Sequence, residues 1–250
     1  MSGAPSPAAG DLRGVVLAGG TGSRLFPLTK VTNKHLLPVG REPMIFHPVR
    51  KLVEAGIREI LIVTGTDHMG DVVGLLGSGK DFGCEFTYRV QDEAGGIAQA
   101  LGLARRFGAG GRLAVILGDN IFESPVRPFA DTFRRQASGA KILVKEVPDP
   151  GRYGVAVTEG GRVVRIIEKP KQPPSSFAVT GIYFYDHDVF DVIKDLKPSA
   201  RGELEITDVN NAYIARGDLT FDVLPGWWTD AGTFDSLKHA NDLVEARSTS

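Results

Sequence analysis

With one cysteine, Cys84, the 250-residue chain cannot form an intramolecular disulfide, and a reducing cytoplasm is the expected location. Histidine is nearly as scarce, and the five present form no Cys/His cluster, which argues against a zinc site. An excess of either charge is also lacking: 29 Lys+Arg stand against 30 Asp+Glu, a formal net charge of -1. No global basic field draws in nucleic acid or an acidic membrane, so neither is an expected partner and any anion site must be local. No apolar run reaches membrane-spanning length, and the opening MSGAPSPAAG has neither a basic n-region nor an apolar h-region. Residues 1–12 are expected to be a flexible leader. The rest, in a chain 42% hydrophobic and 24% charged, has the composition of a soluble globular enzyme, long enough to bury a full core as one domain over residues 13–250.

Glycine, by contrast, is plentiful: 31 residues imply many tight turns. The densest use is in VVLAGGTGSRLFPLTKVTNKHLLPVG, from Val15 to Gly40. Val15, Val16 and Leu17 suit a buried strand, and Gly19, Gly20 and Gly22 let the backbone turn and bring its N–H groups against an anion. Arg24 and Lys34 then supply cations, so the stretch reads as a polyphosphate cradle. It is neither of the common phosphate loops. A G-x-G-x-x-G started at Gly20 fails at Leu25, and no G-K-[ST] follows. A second near-match, GLLGSGKD, carries Asp81 where a P-loop needs Ser or Thr, and the residues before it are helical in pattern.

Short strands and helices alternate after the loop. A helix is expected from Pro43 through Ile45, Val49, Leu52 and Val53, ended by Gly56, followed by strand Ile60 to Val63. Strand Glu85 to Val90 exits into Gln91, and Gly95 and Gly96 precede a helix of Ile97, Ala100, Leu101 and Leu103. Ala114 to Leu117 form a strand ending at Gly118, Asp119 and Asn120, where a carboxylate is placed either for a metal or for an Asx turn. Helix Phe129 to Gln136 and strand Lys141 to Val147 follow. Beyond Pro148 a hairpin turns at Glu159, Gly160 and Gly161 and exits at Glu168, Lys169 and Pro170. A helix runs from about Ile206 to Gly217, and Asp230 falls in a turn before the last helix. Such alternation implies right-handed crossovers in a largely parallel sheet whose ligands lie outside the strands' carboxyl ends.

The opening loop matches one signature, G-G-x-G-x-R-L-x-P-x-T-x(4)-K-x(3)-P, at Gly19, Gly20, Gly22, Arg24, Leu25, Pro27, Thr29, Lys34 and Pro38. The chain therefore resembles the sugar-1-phosphate nucleotidyltransferases over roughly Gly14 to Leu243. The blocks KHLLP, GDNIF, EKP, AVTGIYFYD, KPSARGELEITDVN and WWTDAGT are most like the glucose-1-phosphate thymidylyltransferases, in their shorter form. The resemblance implies a Rossmann-like three-layer α/β sandwich with a mixed, mostly parallel sheet and a small β-hairpin sugar-binding region. It divides the chain into a nucleotide half, about 13–147, and a sugar-phosphate half, about 148–250.

The resemblance also implies roles. Leu17, Gly19, Gly20, Gly22, Arg24, Lys34 and Asp119 would bind the nucleotide, with Gln91 and Gly96 at its base, since an amide can pair with a pyrimidine edge. Glu168 would accept from sugar hydroxyls and Lys169 would hold the sugar phosphate, with Tyr153, Gly154, Val179 and Tyr183 around them. Arg201, on residue type alone a surface arginine, would be a second phosphate contact. Asp119 and Asp230 would hold Mg²⁺. The implied reaction joins dTTP and α-glucose 1-phosphate into dTDP-glucose and pyrophosphate, with Arg24, Lys34, Asp119 and Lys169 as the catalytic set. UTP or another sugar 1-phosphate stays open, as does a homo-oligomer. A nucleotide-sugar-dependent glycosyltransferase and a non-catalytic sugar-nucleotide sensor are the rival readings, and the cationic loop argues against the first.

Overall fold

The computed structural model describes residues 12–248. Strands rich in β-branched, leucine and aromatic residues form the centre: β1 (Leu12–Ala18), then, after two minor paired strands β2 (Pro38–Val39) and β3 (Glu42–Pro43), β4 (Glu59–Gly65), β5 (Glu85–Gln91) and β6 (Arg112–Leu117). They pair in the order β6-β1-β4-β5, all parallel. Helices α1 (Phe46–Glu54), α2 (Met69–Leu76) and α3 (Ile97–Gly102) make the crossovers. Gly14 is needed in β1 because α1 packs so closely that a methyl group there would lie 2.9 Å from Leu52 Cδ1.

The second part of the chain builds onto β6. In order come β7 (Asn120–Phe122), α4 (Arg127–Arg135), β8 (Ala140–Glu146), β9 (Gly154–Glu159), β10 (Arg162–Glu168) and β11 (Phe177–Tyr185). They are followed by α5 (Val189–Asp195), α6 (Ile206–Arg216), β12 (Leu219–Val223), β13 (Trp228–Asp230) and α7 (Phe234–Ser248). Strand β11 runs antiparallel to β6, β8 and β9, and β12 runs parallel to β8, so the nine-stranded sheet is mixed. The β9–β10 hairpin turns at Gly160 and Gly161, both at positive φ (55° and 76°), as a two-residue turn of matching twist requires.

Two apolar cores, one on each face, make three layers. Side chains of α3, α5 and α6 cover Val15, Leu17, Val63 and Val115 on one face, and those of α1, α2 and α4 cover Val16, Ile60, Ile62 and Ile116 on the other. A third, smaller cluster seats α7 against Leu25, Val39 and Ile121.

Three expectations are corrected here. Leu12, assigned to the leader, is the first residue of β1, buried and paired with Arg112, while residues 1–11 lie outside the described residues. The first helix begins at Phe46 rather than Pro43. Pro43 pairs with Pro38, and backbone bonds from Met44 and Ile45 to Leu37 and His35 tie that segment to the chain before it. Asp230 ends strand β13 instead of lying in a turn, because β13 pairs with β7.

Candidate active site

Because β1, β4, β5 and β6 are parallel, their carboxyl ends lie on one side, and the segments leaving β1, β5 and β6 meet in a cavity of about 740 Å³. Leu17 at the end of β1 and Gly19, Gly20, Arg24 and Lys34 of the loop after it line the cavity, as do Gln91 at the end of β5 with Gly96 beyond it, and Asp119 after β6. Strand β11 brings the other half. Its Ile182 pairs with Ile116 of β6, so Val179 lies beside the end of β6, and Ala178 pairs with Val155 of β9. In turn Gly154 pairs with Glu168 at the end of β10. Tyr153, Gly154, Glu168, Lys169, Val179, Tyr183, Arg201 and Asp230 thus face the same cavity.

Gly22 is the exception. It does not line the cavity; at φ 62° it caps the turn Ser23–Leu25, and its carbonyl accepts from Thr29 Oγ1 at 2.8 Å. A side chain there would be strained and would press on Thr29, 2.9 Å away, so Gly22 acts by shaping the turn that carries Arg24.

The cationic and anionic groups at the floor are tightly coupled. Lys34 Nζ donates to Asp119 Oδ2 at 2.6 Å, both side chains largely buried. Burial alone would raise the Asp119 carboxyl, but Lys34 and a hydrogen bond from Asn120 hold it well below the usual carboxylate range. His35 lies beneath, fully buried and bonded through Nδ1 to Asn33; burial first and Lys34 second push it down to about 3, so it is a neutral ring at pH 7.

Asp119 and Asp230, distant in sequence, are joined by backbone pairing: Asp230 sits opposite Asn120, and Ala231 N donates to Asp119 O at 2.8 Å. Their carboxylates flank one glycine. A methyl group on Gly232 would lie 3.3 Å from Asp230 Oδ2, 3.5 Å from Asp119 Oδ2 and 3.1 Å from Arg24 Nη2. Among the described residues no cluster of three or more His, Cys, Asp or Glu is placed to hold a metal.

On the opposite wall, Lys169 adopts φ 43°, a left-handed conformation that costs a non-glycine residue about 1–2 kcal/mol. Its N–H donates to Tyr153 O at 3.0 Å, and its side chain lines the cavity beside Glu168. Glu168 Oε2 accepts from Thr207 Oγ1 at 2.6 Å. Arg201 is held by Glu205, with Nη2 at 2.9 Å from both carboxylate oxygens. Burial, then the nearby Glu168, raises the Tyr183 hydroxyl well above its ordinary range; burial and Asp230, which accepts from Tyr153 at 2.8 Å, do the same for Tyr153. Both phenols are protonated donors at pH 7.

Four site residues are not legible as such in the sequence. Asn120 Oδ1 accepts from Gly181 N at 2.9 Å and Trp228 Nε1 at 2.8 Å, fixing the start of β7 against β11 and β13. Arg152 approaches Asp230 at 3.4 Å, Thr207 orients Glu168, and Glu205 holds Arg201. Asn120, Arg152 and Thr207 stand next to residues singled out in GDN, RYG and ITD, and that adjacency was the available signal.

Residues 13–247 match the family model described as nucleotidyl transferase. A glucose-1-phosphate thymidylyltransferase of Mycolicibacterium smegmatis is 44% identical over 238 residues, covering 93% of this chain and 82% of that protein. One from Neisseria meningitidis is 42% identical over 240 residues, covering 94% and 83%. A solved Bacillus anthracis chain, provisionally described as a glucose-1-phosphate thymidylyltransferase and crystallised with sucrose, is 62% identical, covers 93% of this chain and 94% of its own, and superposes with a TM-score of 0.90. A UDP-glucose pyrophosphorylase solved with UDP-glucose shares the fold at 24% identity and a TM-score of 0.84. By family model, identity and fold, the chain belongs to the nucleotidyl transferase family and is a nucleotidyltransferase similar to glucose-1-phosphate thymidylyltransferases over nearly its whole length.

Proposed function

We propose that the protein makes dTDP-glucose and pyrophosphate from dTTP and α-D-glucose 1-phosphate. The observation that carries the reading is the convergence, in one cavity, of Arg24 and Lys34 beside two carboxylates with Lys169 and Arg201 on the facing wall. That is an arrangement for two phosphorylated substrates. The nucleotide half lies over residues 13–147 and the sugar-phosphate half over 148–250.

The attacking sugar phosphate is already anionic, so no general base is required, and neutral His35 and the protonated tyrosines supply none. Catalysis then rests on holding two anions in line and offsetting charge at the leaving pyrophosphate. The loop amides and Arg24 hold the triphosphate, Lys34 the transferring phosphoryl, and Lys169 with Arg201 the incoming phosphate. Gln91 and Gly96 hold the base, and Glu168, Gly154, Val179 and Tyr183 enclose the sugar.

The donor set fits Mg²⁺: Asp119 and Asp230 offer hard carboxylate oxygens around one point, and water and phosphate oxygens would complete an octahedron. Bound there, the ion would neutralise charge on the α-phosphate. Among the described residues no helix is long and apolar enough to cross a membrane. A cytoplasmic site of action is the reading that the two phosphorylated substrates support.

The test is a matrix of nucleoside triphosphates against sugar 1-phosphates with Mg²⁺, reading pyrophosphate. Release is expected to be fastest with dTTP and glucose 1-phosphate. Binding of dTDP-glucose without turnover in any pair would support a sensor, and sugar transfer from dTDP-glucose to an acceptor would support a glycosyltransferase; either would overturn the proposal.

A further inference from the structure

We infer that Gln99 is a positioning residue that fixes which end of the Gln91 amide faces the nucleotide base, and so selects pyrimidines that carry an N–H at ring position 3. The inference rests on the reading of Gln91 as the base contact.

A glutamine amide has a donor end and an acceptor end, and rotation by half a turn exchanges them. Which end a bound base meets therefore depends on what holds the other. The chain of constraints starts from backbone groups that can act in only one sense. Gly95 N–H can only donate, and it lies 3.0 Å from Gln99 Oε1, so that atom is the oxygen. The close approach requires glycine at 95, since a methyl group there would overlap the whole Gln99 amide at 2.3–2.6 Å. Gln99 Oε1 is then an acceptor 2.8 Å from the Gln91 amide, which must present Nε2. The carbonyl of Gly96, which can only accept, lies 3.3 Å from the same nitrogen and demands the same orientation.

Both anchors engage the donor end of Gln91. The acceptor end, Oε1, points the other way, onto Gly19, where a methyl group would lie 2.4 Å from it, and both residues line the cavity. The amide offered to the base is thus an acceptor. Thymine and uracil present an N–H at position 3, whereas cytosine presents a lone pair there, which an oxygen repels. Of the two anchors the one from Gln99 is shorter by half an ångström, so it carries most of the orientation.

The position in the fold supports the assignment. Gln91 is the last residue of β5, held in register opposite Gly65, so its backbone is fixed and only the side-chain torsions remain to be set. Gln99 stands in the first turn of α3, which is itself docked by Ala98 N donating to Leu204 O at 3.1 Å and Leu204 N donating to Gly95 O at 2.8 Å.

The test compares Gln99→Leu, Gln99→Glu and Gln91→Leu by steady-state kinetics with dTTP and dCTP, with the KM for glucose 1-phosphate and thermal unfolding as controls. Removing one neutral hydrogen bond corresponds to about a three- to tenfold change. Gln99→Leu should raise the KM for dTTP about tenfold, leave kcat and the KM for glucose 1-phosphate within twofold, and reduce the dTTP:dCTP ratio of kcat/KM by at least fivefold. Gln99→Glu keeps an oxygen that accepts from both Gly95 N and Gln91 Nε2, and it should hold that ratio within threefold of the parent. An unchanged ratio in Gln99→Leu, or equal loss of the ratio in both Gln99 variants, overturns the inference. Gln91→Leu separates the two levels: if it leaves dTTP binding intact, the base contact itself is wrong, and if it weakens dTTP while Gln99→Leu does not, only the relay is wrong.

Discussion

Replacing Lys34 with methionine should reverse the way acid affects the stability of this site. In the parent protein Asp119 is held ionised by Lys34 at 2.6 Å, so its carboxylate is charged in both the folded and unfolded chain between pH 5 and 8. Lys34→Met keeps the length of the side chain but removes the cation bonded to the buried carboxylate, and burial, the largest influence and now opposed mainly by the Asn120 hydrogen bond, lifts its pKa above the unfolded value. Breaking one side of a buried pair costs about 3–5 kcal/mol, or a Tm loss of about 10 °C for a chain of this size. That penalty belongs to the charged carboxylate. It grows as pH rises above the unfolded value, by about 1.4 kcal/mol per unit of upward shift, and is relieved when the group is protonated. His35 works in the same sense, because Lys34 is one of the causes that lower it and the substitution removes that cause. The destabilisation should therefore be larger at pH 8 than at pH 5. Urea unfolding of both proteins in EDTA at the two pH values measures it, and Lys34→Met/Asp119→Asn should recover most of the loss at pH 8. A cost below about 1 kcal/mol at pH 8, or a greater cost at pH 5, would refute the assignment of Lys34 and Asp119 as a buried, mutually dependent pair. Turnover of the single variant should fall about a hundredfold or more, as when one preorganised charge is lost from a transition state.

Lys169→Ala should raise the KM for glucose 1-phosphate at least tenfold while dTTP affinity by calorimetry stays within about twofold, because Lys169 lies on the wall opposite the glycine loop. Asp119→Asn and Asp230→Asn should each severely weaken Mg²⁺-dependent turnover, with the double variant little worse than either, since both act through one ion; additive losses would separate them. Tyr153→Phe removes the hydroxyl that donates to Asp230 and should raise the Mg²⁺ concentration for half-maximal rate about tenfold with a small change in kcat at saturation. With its pKa pushed down to about 3, the His35 ring should show no protonation by NMR between pH 8 and 5.

The local chemistry of this protein was written in its sequence. The glycine loop, the apolar strand runs, the hairpin at Gly160 and Gly161 and the helix ending at Gly217 follow from torsional freedom and hydrophobic period, which act over a few residues. Family signatures then identified the chemistry that such a loop serves. What the sequence could not decide was which distant residues share a face. Asp119 meets Asp230 only because β7 and β13 pair across a separation in sequence that no local rule spans. Arg201 is a surface arginine by type and a cavity residue in the fold, since the N-cap of α6 and the end of β10 bring Glu205 and Glu168 around it. Gly22, which looked like a phosphate contact, faces Thr29. The orientation of the Gln91 amide is set by backbone groups at Gly95 and Gly96 working through Gln99, a geometry that depends on the direction of each hydrogen bond and has no counterpart in residue identity alone. Propensity and pattern act along the chain, whereas charge coupling and hydrogen-bond direction act through space, and the space is fixed only when β11 joins the parallel strands to β8 and β9.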